Sequence, residues 1–347
     1  MMKLRSKRER LSCRLAAALV VPALLASCGA ARHKGPLAYV TNERDGSVTV
    51  IDTATDEVVS TFSVGGRARG VRVSADGKRV YVAVSTPLGQ NYSAKANHAA
   101  VIDASSGVVT ATLDVGSDPE QIEVSPDGAR LYASNEDAGT ASVTSLKDGQ
   151  VIATLIAGIE PEGCRISPDG RWVYVTSETS NTVSVIDARS NRVAATFMVD
   201  SRPRDAAFSP DGSRAYVTTE VGTTLAVVDT ATHTVIHTVA IPRGDGSVKP
   251  MGVVVARDGA RVYVSTGRGN TVDVIDAKTF EVVTVIPVGQ RPWGLAITPD
   301  GKKVYAANGL SNDVSVIDTT TNKVVSNIKA GDGPWGVAVS GAASVEQ

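Results

Sequence analysis

292-PWGLAITPDGKKVYAANGLSNDVSVIDTTTNKVVSNI-328 holds four short runs of alternating or β-branched apolar residues: 292-PWGLAIT, 302-KKVYAAN, 313-DVSVID and 323-KVVSNI. Period-two alternation broken by turn residues is the pattern of an antiparallel meander. Asp300-Gly301 separates the first two runs, and the pair suits a tight hairpin because Gly, and less readily Asp, accepts positive φ. A sheet built this way has two apolar faces, so it must be covered by a neighbour on each side.

The neighbours are in the same chain. The Asp-Gly turn recurs at Asp76, Asp127, Asp169, Asp211, Asp258 and Asp300, with spacings of 51, 42, 42, 47 and 42 residues. The period is 42 with two insertions, Thr86 to His98 and Arg243 to Lys249. Asp-Thr-Ala-Thr at 52–55 and 229–232 supplies a further turn. A Tyr-bearing strand appears seven times, at Tyr39, Tyr81, Tyr132, Tyr174, Tyr216, Tyr263 and Tyr305. The expectation is an all-β, seven-bladed β-propeller of four-stranded antiparallel blades. The chain enters in a second strand (37–41) and leaves in an innermost one (334–340). The C-terminal strand is therefore expected to pair with the N-terminal blade and close the ring without a free edge. A single domain spans 37–340, followed by a short tail, 341–347.

Ahead of the repeats, Lys3, Arg5, Lys7, Arg8 and Arg10 precede an apolar run from Leu15 to Ala26, the order of a secretory signal. The run is shorter than the roughly 20 residues that span a bilayer. Leu25-Ala26-Ser27-Cys28 resembles the bacterial lipobox, which implies a signal peptide 1–27, lipidation at Cys28 and a tether 28–36. Ordinary cleavage to a soluble periplasmic protein is the alternative. The expected location is a bacterial membrane, facing the periplasm, and Gly29 after the cysteine is compatible with the outer membrane. Without residues 1–27 the chain has 29 basic and 35 acidic side chains, a net charge of −6, which argues against nucleic acid as a partner. Cys164 is the third cysteine; it sits in an alternating apolar strand and is expected in the core.

The segment 39-YVTNERDGSVTVIDTATDEVV and its echoes resemble the YVTN-type β-propeller repeat, over Leu37 to Val339. More narrowly, 118-DPEQIEVSPDGARLYASNED, 160-EPEGCRISPDG, 176-TSETSNTVSVID, 201-SRPRDAAFSPDG and 306-AANGLSNDVSVIDTTTNKVVSNIKAGDGPWGVAVS resemble the seven-repeat propellers associated with pyrroloquinoline-quinone-dependent alcohol catabolism. This resemblance implies an accessory or binding protein of a periplasmic oxidation and transport system, with no defined activity. The insertion from Thr86 to His98 departs from that pattern.

Both insertions fall on the face formed by the second-to-third and fourth-to-first connections, which makes that face the candidate for binding. There each innermost strand begins with one residue aimed at the central channel: Arg69, Glu120, Glu162, Arg204, Met251, Trp293 and Trp335. Neighbouring blades would pair Arg69 with Glu120 and Glu162 with Arg204, and set two tryptophans side by side. Such a ring can grip a polar, planar ligand, or be a collar whose members satisfy one another. A rim at the ends of the second strands holds Glu43, Asn135, Glu136, Glu178, Glu220 and Asn308, favouring a cationic or hydroxyl-bearing partner.

No histidine pair has metal-ligand spacing with a carboxylate on the same mouth, and His233 and His237 are expected to face solvent. C-x-x-C-H, phosphate-loop and nucleophile-elbow motifs are absent from the sequence. Three readings follow. The first is a non-catalytic binding or scaffold module without catalytic residue, metal or cofactor, whose partner is a periplasmic protein or a small molecule. The second is a lactonase or lyase holding a divalent cation such as calcium on Glu43, Glu136, Glu178, Glu220 and Asn308. The third is a carrier or sensor of a small ligand, with pyrroloquinoline quinone held by Arg69, Arg204 and a tryptophan.

Overall fold

Seven glycines with φ near +70°, Gly77, Gly128, Gly170, Gly212, Gly259, Gly301 and Gly341, punctuate the chain at the ends of its inner strands. In five of the turns a Ser or Thr two residues before the Asp donates its hydroxyl to Oδ1 at 2.5–2.6 Å, from Ser74 to Asp76 through Thr298 to Asp300. The next hairpin of the blade is fixed differently. Asp103, Asp187, Asp229, Asp276 and Asp318 each accept the backbone N–H groups of the residues two and three positions on, a side chain mimicking a backbone turn.

The computed structural model describes residues 35–86, 96–241 and 248–341. The signal peptide 1–27, Cys28, most of the tether, the greater part of both insertions and residues 342–347 lie outside the described residues. The described residues form seven four-stranded sheets with strands in chain order from the axis outward. Blade 1 is the one assembled from both ends, in the order β28 (Pro334–Val339), β1 (Leu37–Asn42), β2 (Ser47–Asp52) and β3 (Glu57–Ser63). Its seam is antiparallel, with Ala38 opposite Val339, Tyr39 opposite Ala338 and Val40 opposite Val337. The innermost strands of blades 2 to 7 are β4 (Arg67–Val73), β8 (Pro119–Val124), β12 (Pro161–Ile166), β16 (Pro203–Phe208), β20 (Pro250–Val255) and β24 (Pro292–Ile297).

The seven tyrosines are all at most 2% exposed, and each sits between blades: Tyr39 of blade 1 packs on Val71, Val80 and Val82 of blade 2. Cys164 is free and fully buried, and burial pushes its thiol pKa up, so it is an inert member of the core. Around the axis the blades are held by side chain to backbone bonds. Thr41, Ser134, Thr176, Thr218 and Ser265 donate to the carbonyls of Arg69, Glu162, Arg204, Met251 and Trp293 of the next blade at 2.5–3.0 Å. The approach is close enough that a Cβ on Gly336 would stand 2.7 Å from the Arg69 carbonyl oxygen, and one on Gly252 2.5 Å from that of Trp293. These bonds fix the residues that open each inner strand, and so fix the mouth.

Candidate functional site: a charged and aromatic collar

In six blades the mouth residue follows a proline, and before five of those prolines stands a charged residue in the left-handed region: Asp118, Glu160, Arg202, Lys249 and Arg291, with φ of 47–64°. In those five blades the chain reverses at that residue, and the second position of the inner strand is the mouth residue. Two nests of charge result.

Arg69, 3% exposed, pairs with Glu120, reaches Glu43 with Nε at 3.3 Å, and lies 3.6 Å from Asp118 and Glu136. Arg67 holds the same Glu43 at 2.6 Å. On the opposite side Arg204 pairs with Glu162, with Glu178 at 2.5 Å and with Glu220 at 2.7 Å. Arg202 and Lys249 brace that nest, each reaching a carboxylate at 2.6 Å, Glu178 and Glu220 respectively. Arg204 also lies over the ring of Trp293, 5.4 Å from its centroid, and Trp293 stacks on Trp335 with centroids 5.5 Å apart and planes 25° apart. The charge pairs and the tryptophan pair thus come together as the repeat order places them. Met251, 4% exposed, completes the ring.

Among the described residues a small cavity lies within this mouth. Glu162, Arg204, Met251, Trp293 and Trp335 line a cavity of about 20 Å³, room for a water or an ion. Arg69 and Arg204, which would hold the carboxylates of a quinone, are each engaged by carboxylates of the chain, and Trp293 and Trp335 stack on one another. An all-oxygen donor set for a hard cation does exist, because Glu136, Glu162 and Glu178 offer oxygens all within 4.8 Å of one another, as do Asp118, Glu120 and Glu136. Glu43 and Glu220 belong to neither set.

Two rim positions are corrected. Asn135 and Asn308 are fully buried and face their own blades: Asn308 Nδ2 donates to Asp313 at 2.7 Å and Ser315 at 3.0 Å, and Asn135 Nδ2 to Thr140 at 3.3 Å. The pleat turns the last residue of the second strand inward, and the residue after it, Glu43, Glu136, Glu178 or Glu220, reaches the mouth. His233 is also not simply solvent-facing, since its Nδ1 lies 2.7 Å from the Tyr174 hydroxyl and its ring meets Trp172 edge-on; His237 is exposed and stacks on Phe280.

The sequence reading missed Arg67, Asp118, Arg202 and Lys249, all members of the nests; the recurrent charged residue before Pro was the signal for the last three. With them, seven carboxylates face five cations. The excess is visible in the titration of the centre: burial, outweighing Arg69 and Arg204, pushes Glu136 up to about 7 and Glu162 up to about 8. A carboxyl whose pKa rises on folding keeps a proton that the unfolded chain has already lost, so its contribution to stability falls as pH climbs from the ordinary glutamate range through the folded value. The melting temperature is expected to drop by a few degrees between about pH 5.5 and pH 8.5, and Glu162→Gln should flatten that slope. Calorimetry across this range checks it; a melting temperature that rises with pH overturns the assignment.

Fold and site together define a seven-bladed β-propeller with an ion-paired mouth. Residues 188–339 match the family model of the lactonase seven-bladed β-propeller, and residues 36–198 match that of the choice-of-anchor I domain. Among solved structures, hydrazine synthase of Kuenenia stuttgartiensis aligns with a TM-score of 0.69 at 22% identity, over 80% of this chain and 90% of that one. A "putative 6-phosphogluconolactonase" of Bacteroides uniformis aligns with a TM-score of 0.74 at 19% identity, over 88% and 100%. Another of that description, from Bacteroides fragilis, gives 0.73 at 20%, over 89% and 99%. At such identities the likeness is one of fold. No curated protein matches the sequence.

Proposed function

We propose that this chain is an exported, lipid-anchored binding propeller, accessory to a periplasmic oxidation or transport system, whose insertion-bearing face meets a cationic or hydroxyl-bearing partner. The observation that supports this reading is the mutual engagement of the mouth's charges: among the described residues Arg69 and Arg204 are each held by several carboxylates, and the cavity beside Glu162, Arg204 and the tryptophans is only about 20 Å³. Seven carboxyls against five cations favour a partner of positive sign, which would draw the protons off Glu136 and Glu162, and oppose a phosphorylated, anionic substrate. Anchoring through Cys28 and the association with quinoprotein alcohol catabolism rest on the lipobox-like stretch and on the order of the repeats.

The lactonase match favours a second reading, a hydrolase whose Glu136, Glu162 and Glu178 hold a divalent cation. Such an ion would polarise a lactone carbonyl when bound. In that reading the chain itself contributes the three carboxylates, and Arg204 holds two of them in position.

One experiment separates the two. The full chain carrying Cys28→Ser, expected in the soluble periplasmic fraction where the unaltered chain stays with membranes, is titrated with calcium and assayed on unphosphorylated and phosphorylated gluconolactone. The binding reading expects no turnover, and expects a photo-crosslinker at position 249, but not one at 156 on an outer strand, to trap one defined periplasmic protein. Calcium-dependent lactone hydrolysis that is lost in Glu162→Gln overturns it in favour of the second.

A further inference from the structure

At the opposite end of the channel, on the face of the Asp-Gly turns, a larger cavity of about 480 Å³ opens, within the size range of small-molecule sites. Its floor is divided. Three residues beyond the mouth residue, blades 2, 3 and 4 present Arg72, Glu123 and Arg165, while blades 5, 6, 7 and 1 present Ala207, Val254, Ala296 and Ala338. One half of the channel is therefore charged and the other apolar.

The charged half is only partly satisfied. Arg72 Nε reaches Glu123 at 2.9 Å, Arg165 Nη2 reaches Asp205 at 2.9 Å, and Arg165 Nη1 stands 3.8 Å from Glu123. Arg72 Nη2 and Arg165 Nη1 are buried and donate no hydrogen bond. Buried donors of this kind are costly, and each calls for an acceptor. The exposed Arg257 at the rim adds a third guanidinium, against one lining carboxylate, Glu123, and the Asp205 that pairs with Arg165 from behind. Burial raises both of those carboxyls, Asp205 to about 7, so they hold their negative charge weakly. The cavity is therefore positive in sign.

We propose that this cavity binds an amphipathic monocarboxylate, its carboxylate oxygens accepting from the partly exposed guanidinium groups of Arg72 and Arg165 and its apolar body lying along Ala207, Phe208, Val254 and Ala296. A guanidinium pair suits a planar carboxylate, and an apolar opposite wall suits a ligand with its charge at one end. The site lies at the other end of the channel from the collar and does not depend on the reading of that mouth.

The test is calorimetric titration of the full chain carrying Cys28→Ser with octanoate and with octanamide, which share an apolar body and differ in charge. Octanoate is expected to bind one per chain and about tenfold or more tighter than the amide, the difference made by charge-assisted hydrogen bonds. Arg72→Met should remove most of that difference. Because Arg72→Met also frees Glu123, a second variant leaves the charges alone: Ala207→Trp fills the apolar half and should abolish binding of both ligands. Equal affinity for octanoate and octanamide, no octanoate binding at millimolar concentration, or unchanged binding in a folded Ala207→Trp protein overturns the proposal.

Discussion

Removal of residues 334–347 is expected to abolish the cooperative melting transition rather than lower its midpoint. The deleted segment contains β28, the inner strand of blade 1, whose residues Trp335, Val337 and Val339 are 5–6% exposed. Burial of three such side chains contributes roughly 5–8 kcal/mol, comparable with the whole stability of an ordinary domain. Further losses accompany it. The pairing of β28 with β1 disappears, the Thr41 hydroxyl loses its contact with the Gly336 N–H, and Val40 and Tyr305, which share a cluster with Val337 and Val339, are uncovered. A ring opened at one blade also exposes an unpaired strand edge, a route to aggregation. Circular dichroism on heating is the measurement, with a permuted chain that carries 334–341 ahead of residue 36 as the control expected to regain the transition. A truncated protein that melts as the intact one does would show that closure is not what holds the ring.

The second large effect is expected at Arg204. Arg204→Met keeps the length and apolar stem of the side chain and removes the charge that three carboxylates share. Glu178 keeps Arg202, and Glu220 keeps Arg202 and Lys249, but Glu162, 6% exposed, loses its partner. Breaking a buried pair from one side costs up to about 3–5 kcal/mol where the remaining group stays charged, so the loss is expected above about pH 8, where Glu162 is ionised in the intact protein. The denaturant midpoint should fall accordingly, and adding Glu162→Gln should restore much of the loss, since the double variant strands no charge at that position. A change below about 1 kcal/mol in Arg204→Met would mean that the nest is solvated and that the mouth is open enough for a ligand, contrary to the ion-paired collar.

These two expectations rest on different kinds of knowledge. The closure behind the first is legible in the sequence, because a repeat of 42 residues maps one unit to one blade, and a chain that starts in a second strand and ends in a first has one way to complete the ring. Adjacent blades are adjacent repeats, so the pairing of Arg69 with Glu120, of Glu162 with Arg204 and of Trp293 with Trp335 follows from counting along the chain. The hairpin glycines and the seven buried tyrosines are legible for the same reason: each reports a local conformation or a local face that recurs.

The consequences of the second depend on geometry that counting does not reach. That Arg204 is shared by three carboxylates, and that Arg202 and Lys249 brace it, depends on left-handed residues before proline that swing the connections over the mouth. Asn135 and Asn308 look like rim residues until the pleat at the strand end turns them into their blades. Arg72, Glu123 and Arg165 read as polar interruptions in apolar strands, and only the convergence of three inner strands on one axis makes them a floor with unsatisfied donors. The sequence alone determined the number of blades, their order and how the ring closes, because those follow from local periodicity. Which end of the channel is lined by ion pairs and which holds the larger cavity was decided only by the tertiary structure, because side chains meeting across an axis are set by strand tilt, pleat and loop reversal, quantities that no single repeat contains.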